Sequence, residues 1–94
     1  MVKVVDWDEL KNIRLKAERG LGFEDVFTAL TAGGLLEDIS HPNKNRYQNQ
    51  RLFVITINDY VYLVPYVEDE TKMFFKTIIP SRKATKKYLR GGKL

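Results

Sequence analysis

The chain closes with IIPSRKATKKYLRGGKL, residues 78 to 94, in which Arg82, Lys83, Lys86, Lys87, Arg90 and Lys93 follow Ser81 without one acid among them. Guanidinium and ammonium groups at this density bind phosphate. An arginine fork grips two phosphate oxygens at once, and a lysine supplies a compact point charge. At 100° per residue, Arg82, Lys83, Lys86, Lys87 and Arg90 span an arc of about 140°, while Ala84, Thr85, Tyr88 and Leu89 share the other side. The segment is therefore expected to be a short amphipathic helix with a narrow docking stripe and an unbroken cationic arc. Ser81 suits its N-cap. Arg82 and Lys83 put positive charge at the positive end of the helix dipole, which a helix selected only for stability avoids. A solvated tail is the plain alternative; a surface for an acidic partner or one wall of a phosphate-handling site are the functional ones.

Composition sharpens the contrast. Residues 1–70 carry a net charge of −4 and residues 71–94 a net charge of +8. Such asymmetry points to a polyanion or an acidic partner. Ninety-four residues with 44% hydrophobic content suit one small domain, 1–94, ending in the basic tail 81–94. No apolar run is long enough to span a membrane, and MVKVVDWDEL meets charge too early for a secretory signal, so a cytoplasmic location and no membrane partner are expected. With no cysteine, disulfides, thiolate metal sites and cysteine catalysis are excluded. Neither a metal site nor a cofactor is expected: there is one histidine, EDE (68–70) reads as a charged turn, and no glycine pair sits in a phosphate-cradling motif.

The elements that must position these residues follow from periodicity. DWDELKNIRLKAERG reads as a helix with an Asp6/Glu9 capping box, a stripe of Trp7, Leu10, Ile13 and Ala17, and Gly20 as its stop. GFEDVFTALTAGG reads as a second helix with Phe23, Val26, Phe27 and Leu30 inward. KVV before them is a short strand or a lead-in. LLEDIS (35–40) is a weak strand and 41–50 a polar loop. RLFVITI (51–57) and YVYLVPYV (60–67) form a hairpin about Asn58-Asp59, and MFFKTII (73–79) is a further strand. Pro65 cannot donate to a ladder and is expected near a strand end or a bulge. The fold class is α+β: two N-terminal helices, a curled, mainly antiparallel sheet of about four strands, and a basic C-terminal helix.

This layout resembles the small ribonuclease toxins of bacterial type II toxin–antitoxin systems, and in particular the BrnT family, a variant of the RelE-like fold. VDWDELKN is similar to the family's F-x-W-D-x-x-K-x, GLGFEDV to its G-V-S-F-E-E-A, and IIPSRKATKKY to its closing I-S-A-R-x-A-T-x-x-E. The resemblance, with QRLFVITI entering the hairpin, covers most of residues 4 to 90. It implies a metal-independent endoribonuclease that blocks translation, with RNA, free or on the ribosome, as substrate and a cognate antitoxin as partner, commonly in a heterotetramer. Two departures stand out. Glu18-Arg19 occupy the place of the family's Lys-His, and Tyr88 replaces its closing Glu. The second favours an alternative: a non-catalytic RNA- or protein-binding relative acting as partner or co-repressor.

Metal-independent RNA cleavage needs a base for the 2′-hydroxyl, cations for the phosphorane and an acid for the 5′-oxygen. Arg82 matches the arginine of the closing motif and is the expected transition-state stabiliser, with Lys86 one turn on for phosphate binding or proton transfer. Lys76, alone in an apolar strand, either snorkels at a sheet edge or lines a cleft floor. Arg51 aligns with a family arginine and is a site residue or a structural partner of an acid. His41, the only histidine, is the natural acid or base at neutral pH. Lys83, Lys87, Arg90 and Arg46 are expected to bind RNA, and Tyr47 and Tyr66 to stack on bases, with Tyr62 and Tyr88 further tyrosine candidates.

Overall fold

The computed structural model describes residues 3–43, 45–46 and 49–90. Nine elements follow one another: β1 (Val4–Trp7), α1 (Glu9–Arg19), α2 (Phe23–Thr31), β2 (Leu35–Ser40), β3 (Arg51–Ile57), β4 (Tyr60–Glu68), β5 (Lys72–Phe75), β6 (Ile79–Pro80) and α3 (Arg82–Leu89). The α+β class holds. The sheet is mixed and has six strands rather than about four, in the order β1-β5-β4-β3-β2, with β6 also paired to β4. The extra strand at one edge is β1, which runs parallel to β5 with Val4 opposite Lys72 and Trp7 opposite Phe75. The short strand that KVV offered is thus present, and its partner lies near the other end of the chain.

Alternation along β3 and β4 gives the sheet two dressed faces. Phe53 and Ile55 with Val64 and Tyr66 point to one side and form the core with Leu15, Phe23, Val26, Phe75 and Ile78. Trp7, Phe23 and Phe75 stack there, with Trp7 and Phe23 centroids 5.6 Å apart. Leu52, Val54 and Leu63 point to the other side, beneath α3. The hairpin is as the sequence indicates: Asn58 and Asp59 take φ of 52° and 64°, the left-handed pair that a two-residue turn between twisted strands requires.

Helix α1 starts two residues later than the Asp6/Glu9 pairing suggests. Asp8 is the N-cap, accepting from Leu10 N–H at 3.0 Å and Lys11 N–H at 3.3 Å. Asp6 instead accepts from Trp7 N–H within β1. The helix also turns the opposite face inward: Asn12 and Leu15 are buried, while Leu10 and Ile13 are 74% and 56% exposed. In α2, Phe23 and Val26 are buried as expected, but Phe27 is exposed.

Asn12 explains the rotation of α1. Its Oδ1 accepts from Phe23 N–H at 2.7 Å, filling an orphan donor at the start of α2, and its Nδ2 donates to both Glu24 oxygens at 3.0 Å. The approach is close enough that a Cβ on Gly22 would meet Asn12 Oδ1 at 2.7 Å and Lys16 Cε at 2.5 Å, so a larger residue there would have to displace the Lys16 side chain and the hydrogen-bonded Asn12 amide. The Asn12 amide, the backbone and Lys16 hold the Glu24 carboxyl below its ordinary pKa. Gly20 ends α1 at φ 73°, its N–H donating to Lys16 C=O.

Pro65 lies inside β4 rather than at its end, and the ladder shows why. Its C=O accepts from Lys76 N–H at 2.8 Å, so its missing donor faces the β5/β6 side of the strand. On that side β4 pairs with β5 at Tyr66–Glu68 and with β6 at Leu63 and Tyr62. The proline occupies the gap between them. The expected strand 73–79 is therefore two short strands separated by residues 76–78.

Replacing Asn12 with Ala leaves the buried Phe23 N–H unpaired and should cost about 1–3 kcal/mol of stability. Urea denaturation of the variant checks this. A loss below a few tenths of a kcal/mol would mean that α1 and α2 are joined by apolar contact alone.

Candidate functional site

Strand β6 leads directly into α3, and one backbone unit fastens the helix. Val61 C=O accepts from Ser81 N–H at 3.0 Å, and Val61 N–H donates to Thr85 Oγ1 at 2.9 Å. The Thr85 hydroxyl in turn donates to Ser81 C=O at 2.8 Å, and Ser81 Oγ caps the helix by accepting from Ala84 N–H. Thr85 is buried; Ala84, Tyr88 and Leu89 beside it are half-buried. The inward arc thus agrees with the sequence reading, and Arg82, Lys83, Lys86, Lys87 and Arg90 are all exposed. None of the five forms an ion pair with the described residues; Lys87 Nζ lies 5.2 Å from the Tyr88 ring centroid. Lys93 and Tyr47 lie outside the described residues.

The two flanks of α3 differ. Lys83 and Lys87 rim a groove of about 210 Å³ floored by Leu52, Val54, Leu63, Ile39 and Tyr88, whereas Arg82 and Lys86 do not line it. Glu37 of β2, with burial, raises the pKa of the Tyr88 phenol, so this replacement for the expected glutamate is a neutral hydroxyl held beside a carboxylate.

A second polar site occupies the end of the sheet. His41, at the start of the 41–50 loop, and Lys76, between β5 and β6, line one cleft of about 250 Å³ together with Lys11, Gln50 and Thr77. His41 N–H donates to Gln50 C=O at 3.1 Å, closing the base of the loop, and His41 Nδ1 accepts from Asn43 N–H at 3.1 Å. Lys76 reaches across Phe74, with Nζ 5.5 Å from the ring centroid. Lys76 thus lies outside both strands, exposed at the wall of the cleft. Arg82 and Lys86 do not line the cleft, so the five expected catalytic residues do not converge on one point.

Compared with protein-family models, curated proteins and solved structures, the chain matches none. Function must be read from the site itself.

Two expected site residues belong to a structural cluster. Arg51 Nε donates to Asp38 Oδ1 at 3.1 Å and its Nη2 to Asp38 C=O at 2.9 Å, so the structural alternative describes it. Tyr66 is buried, its ring stacked on Phe53 at 4.0 Å between centroids, and its hydroxyl donates to Asp38 Oδ1 at 2.7 Å. No base can stack there, because the ring is buried in the core. Tyr62 is half-buried and packs on the core and Tyr60. Arg46 sits in the 41–50 loop, its N–H donating to Asn43 Oδ1. Lys11, Gln50 and Thr77 went unnoticed in the sequence, since nothing local marks a solvent-facing lysine, a loop glutamine or a threonine as neighbours.

Thr85→Val keeps the shape of the side chain and removes its hydroxyl. It should cost about 1–3 kcal/mol, seen as a lower Tm, because the buried Val61 N–H is orphaned. Tyr66→Phe should cost about 1–2 kcal/mol at neutral pH by urea denaturation. Burial and the Asp38 bond raise the Tyr66 pKa, so its contribution is complete below the ordinary value of 10.0 and is lost as pH climbs beyond it. The alkaline loss of stability should therefore be smaller in Tyr66→Phe than in the wild type; an equal loss would assign it to other groups.

Proposed function

We propose that this chain is a metal-independent endoribonuclease of the type II toxin class, with a BrnT-like variant of the RelE-like layout, acting in the cytoplasm and restrained by a cognate antitoxin. The observation that carries this reading is the exposed arc of Arg82, Lys83, Lys86, Lys87 and Arg90 on a helix whose inner face is fixed to β4. A fixed cationic surface keeps its charges at set spacings, so it can track the phosphates of a single strand. Arg82 and Lys86 follow one another by a single turn and are placed to steady the charge that builds on a phosphorane. Neither is ion-paired with a described residue, which leaves both charges for phosphate.

Charge-driven binding has a measurable signature. For single-stranded nucleic acid, log K falls with log salt by about 0.7 per phosphate neutralised. Removing two contacts in the Arg82→Ala, Lys86→Ala double variant should flatten that slope by about 1.4. Inducing the wild type alone should halt growth and cleave cellular RNA, and the double variant, expressed at the same level, should do neither. Continued growth with wild-type RNA left intact would overturn the enzyme. An unchanged salt slope for the double variant would remove its two cations from the RNA interface.

A further inference from the structure

The cleft at the end of the sheet is built from parts that the chain keeps far apart. Lys11 comes from the first turn of α1, His41 and Gln50 from the two ends of one loop, and Lys76 and Thr77 from the break between β5 and β6. All five can donate a hydrogen bond. None of the described residues lining the cleft is a carboxylate, and neither Lys11 nor Lys76 forms an ion pair with a described residue. Two lysines lining one small space bring like charges together, and an anion held between them relieves that repulsion. The remaining walls are Pro65 and Ile79, whose apolar surface lowers the local dielectric and strengthens such a contact.

The walls are also held in place. Lys76 N–H is bonded to Pro65 C=O, so the break in the strand has a fixed position. The His41 N–H to Gln50 C=O bond holds the loop's two ends together. At about 250 Å³ the space is small beside the 300–1,000 Å³ of drug-sized sites, which suits a phosphate group better than a whole nucleotide.

We infer that this cleft is a phosphate site, with Lys11 and Lys76 as its principal ligands and Gln50 and Thr77 as neutral donors, and that it holds one phosphodiester of the RNA strand. The second part rests on the ribonuclease reading; the first does not. Neither Lys11, Gln50 nor Thr77 belongs to the basic helix, so the cleft adds a second point of attachment at a distinct place on the fold.

The test is a ¹H–¹⁵N titration of the full chain with inorganic phosphate, at constant ionic strength set by chloride. Saturable shifts centred on Lys11, His41, Gln50, Lys76 and Thr77 are expected. In a Lys11→Ala, Lys76→Ala variant with an otherwise superimposable spectrum, affinity should fall at least tenfold. Shifts that rise linearly, or that gather on residues 82–90, would overturn the site. A second titration with the ribodinucleotide UpA should move the same amides and compete with phosphate. If phosphate binds and UpA does not, the RNA assignment is overturned and the anion site stands. If both bind here but the wild type neither arrests growth nor cuts RNA, the toxin reading fails while the cleft remains.

Discussion

The hydroxyl of Thr85 is the point on which the basic surface turns. Val61 has its N–H and C=O directed off the edge of β4, where β6 has just ended, and an unpaired buried N–H there would cost about 1–3 kcal/mol. Ser81 takes the carbonyl and Thr85 takes the N–H, so the ladder is finished by a helix instead of a strand. That pair of bonds sets the rotation of α3 about its axis. With Thr85 directed inward, the 100° spacing leaves Arg82, Lys83, Lys86, Lys87 and Arg90 no direction but outward. A serine would keep the bond and lose the methyl that packs; a valine would keep the packing and lose the bond. The surface chemistry of five residues thus depends on one buried neighbour that is not itself charged.

The proline in β4 has a comparable role at the other end. A residue with a ladder donor at position 65 would favour continuous pairing from β5 through to β6. Pro65 cannot supply it, the chain leaves the ladder at 76–78, and Lys76 and Thr77 come out at the wall of the cleft instead of on the sheet. Ile78 returns to the core directly afterwards, which keeps the excursion short. A position that weakens a strand in isolation here makes room for polar side chains between two apolar layers.

What was legible in the sequence was local. The hairpin over 51–67 announces itself by alternation and by two residues that tolerate positive φ, and the arc of α3 by its wheel. What was not legible depends on partners distant in sequence. KVV could be read as a short strand, but its parallel pairing is set by β5, and the inward face of α1 by the needs of α2's first N–H. The stripe of Leu10, Ile13 and Ala17 is a real periodicity, but a buried hydrogen bond outweighs it, and Asn12 goes inward in its place. Arg51 and Tyr66 look like site residues by type, yet Asp38, on the neighbouring strand β2, takes both. The cleft is the extreme case, assembled from three stretches whose proximity exists only in the fold.

The chain's charge asymmetry acquires a structural cause from the same contacts. Asp8 caps α1, Asp25 accepts from Gly22 N–H at the start of α2, and Glu24 holds Asn12 and Lys16. Asp38 gathers Arg51 and Tyr66, Glu68 meets Lys3, and Asp69 accepts from Thr71 and Lys72 N–H to shape the turn before β5, which keeps its carboxyl below the ordinary value. These acids are engaged in holding the framework and are not available to screen the cations of α3. Exposed lysines and arginines normally lose much of their field to neighbouring carboxylates and to salt. On α3, Glu37 stands beside Tyr88 but none of the five cations is ion-paired with a described residue, so the field around the helix should reach further into solvent than a net charge of +4 suggests. The same segregation makes the surface self-repelling until a polyanion or an acidic partner covers it, and that repulsion is what binding relieves.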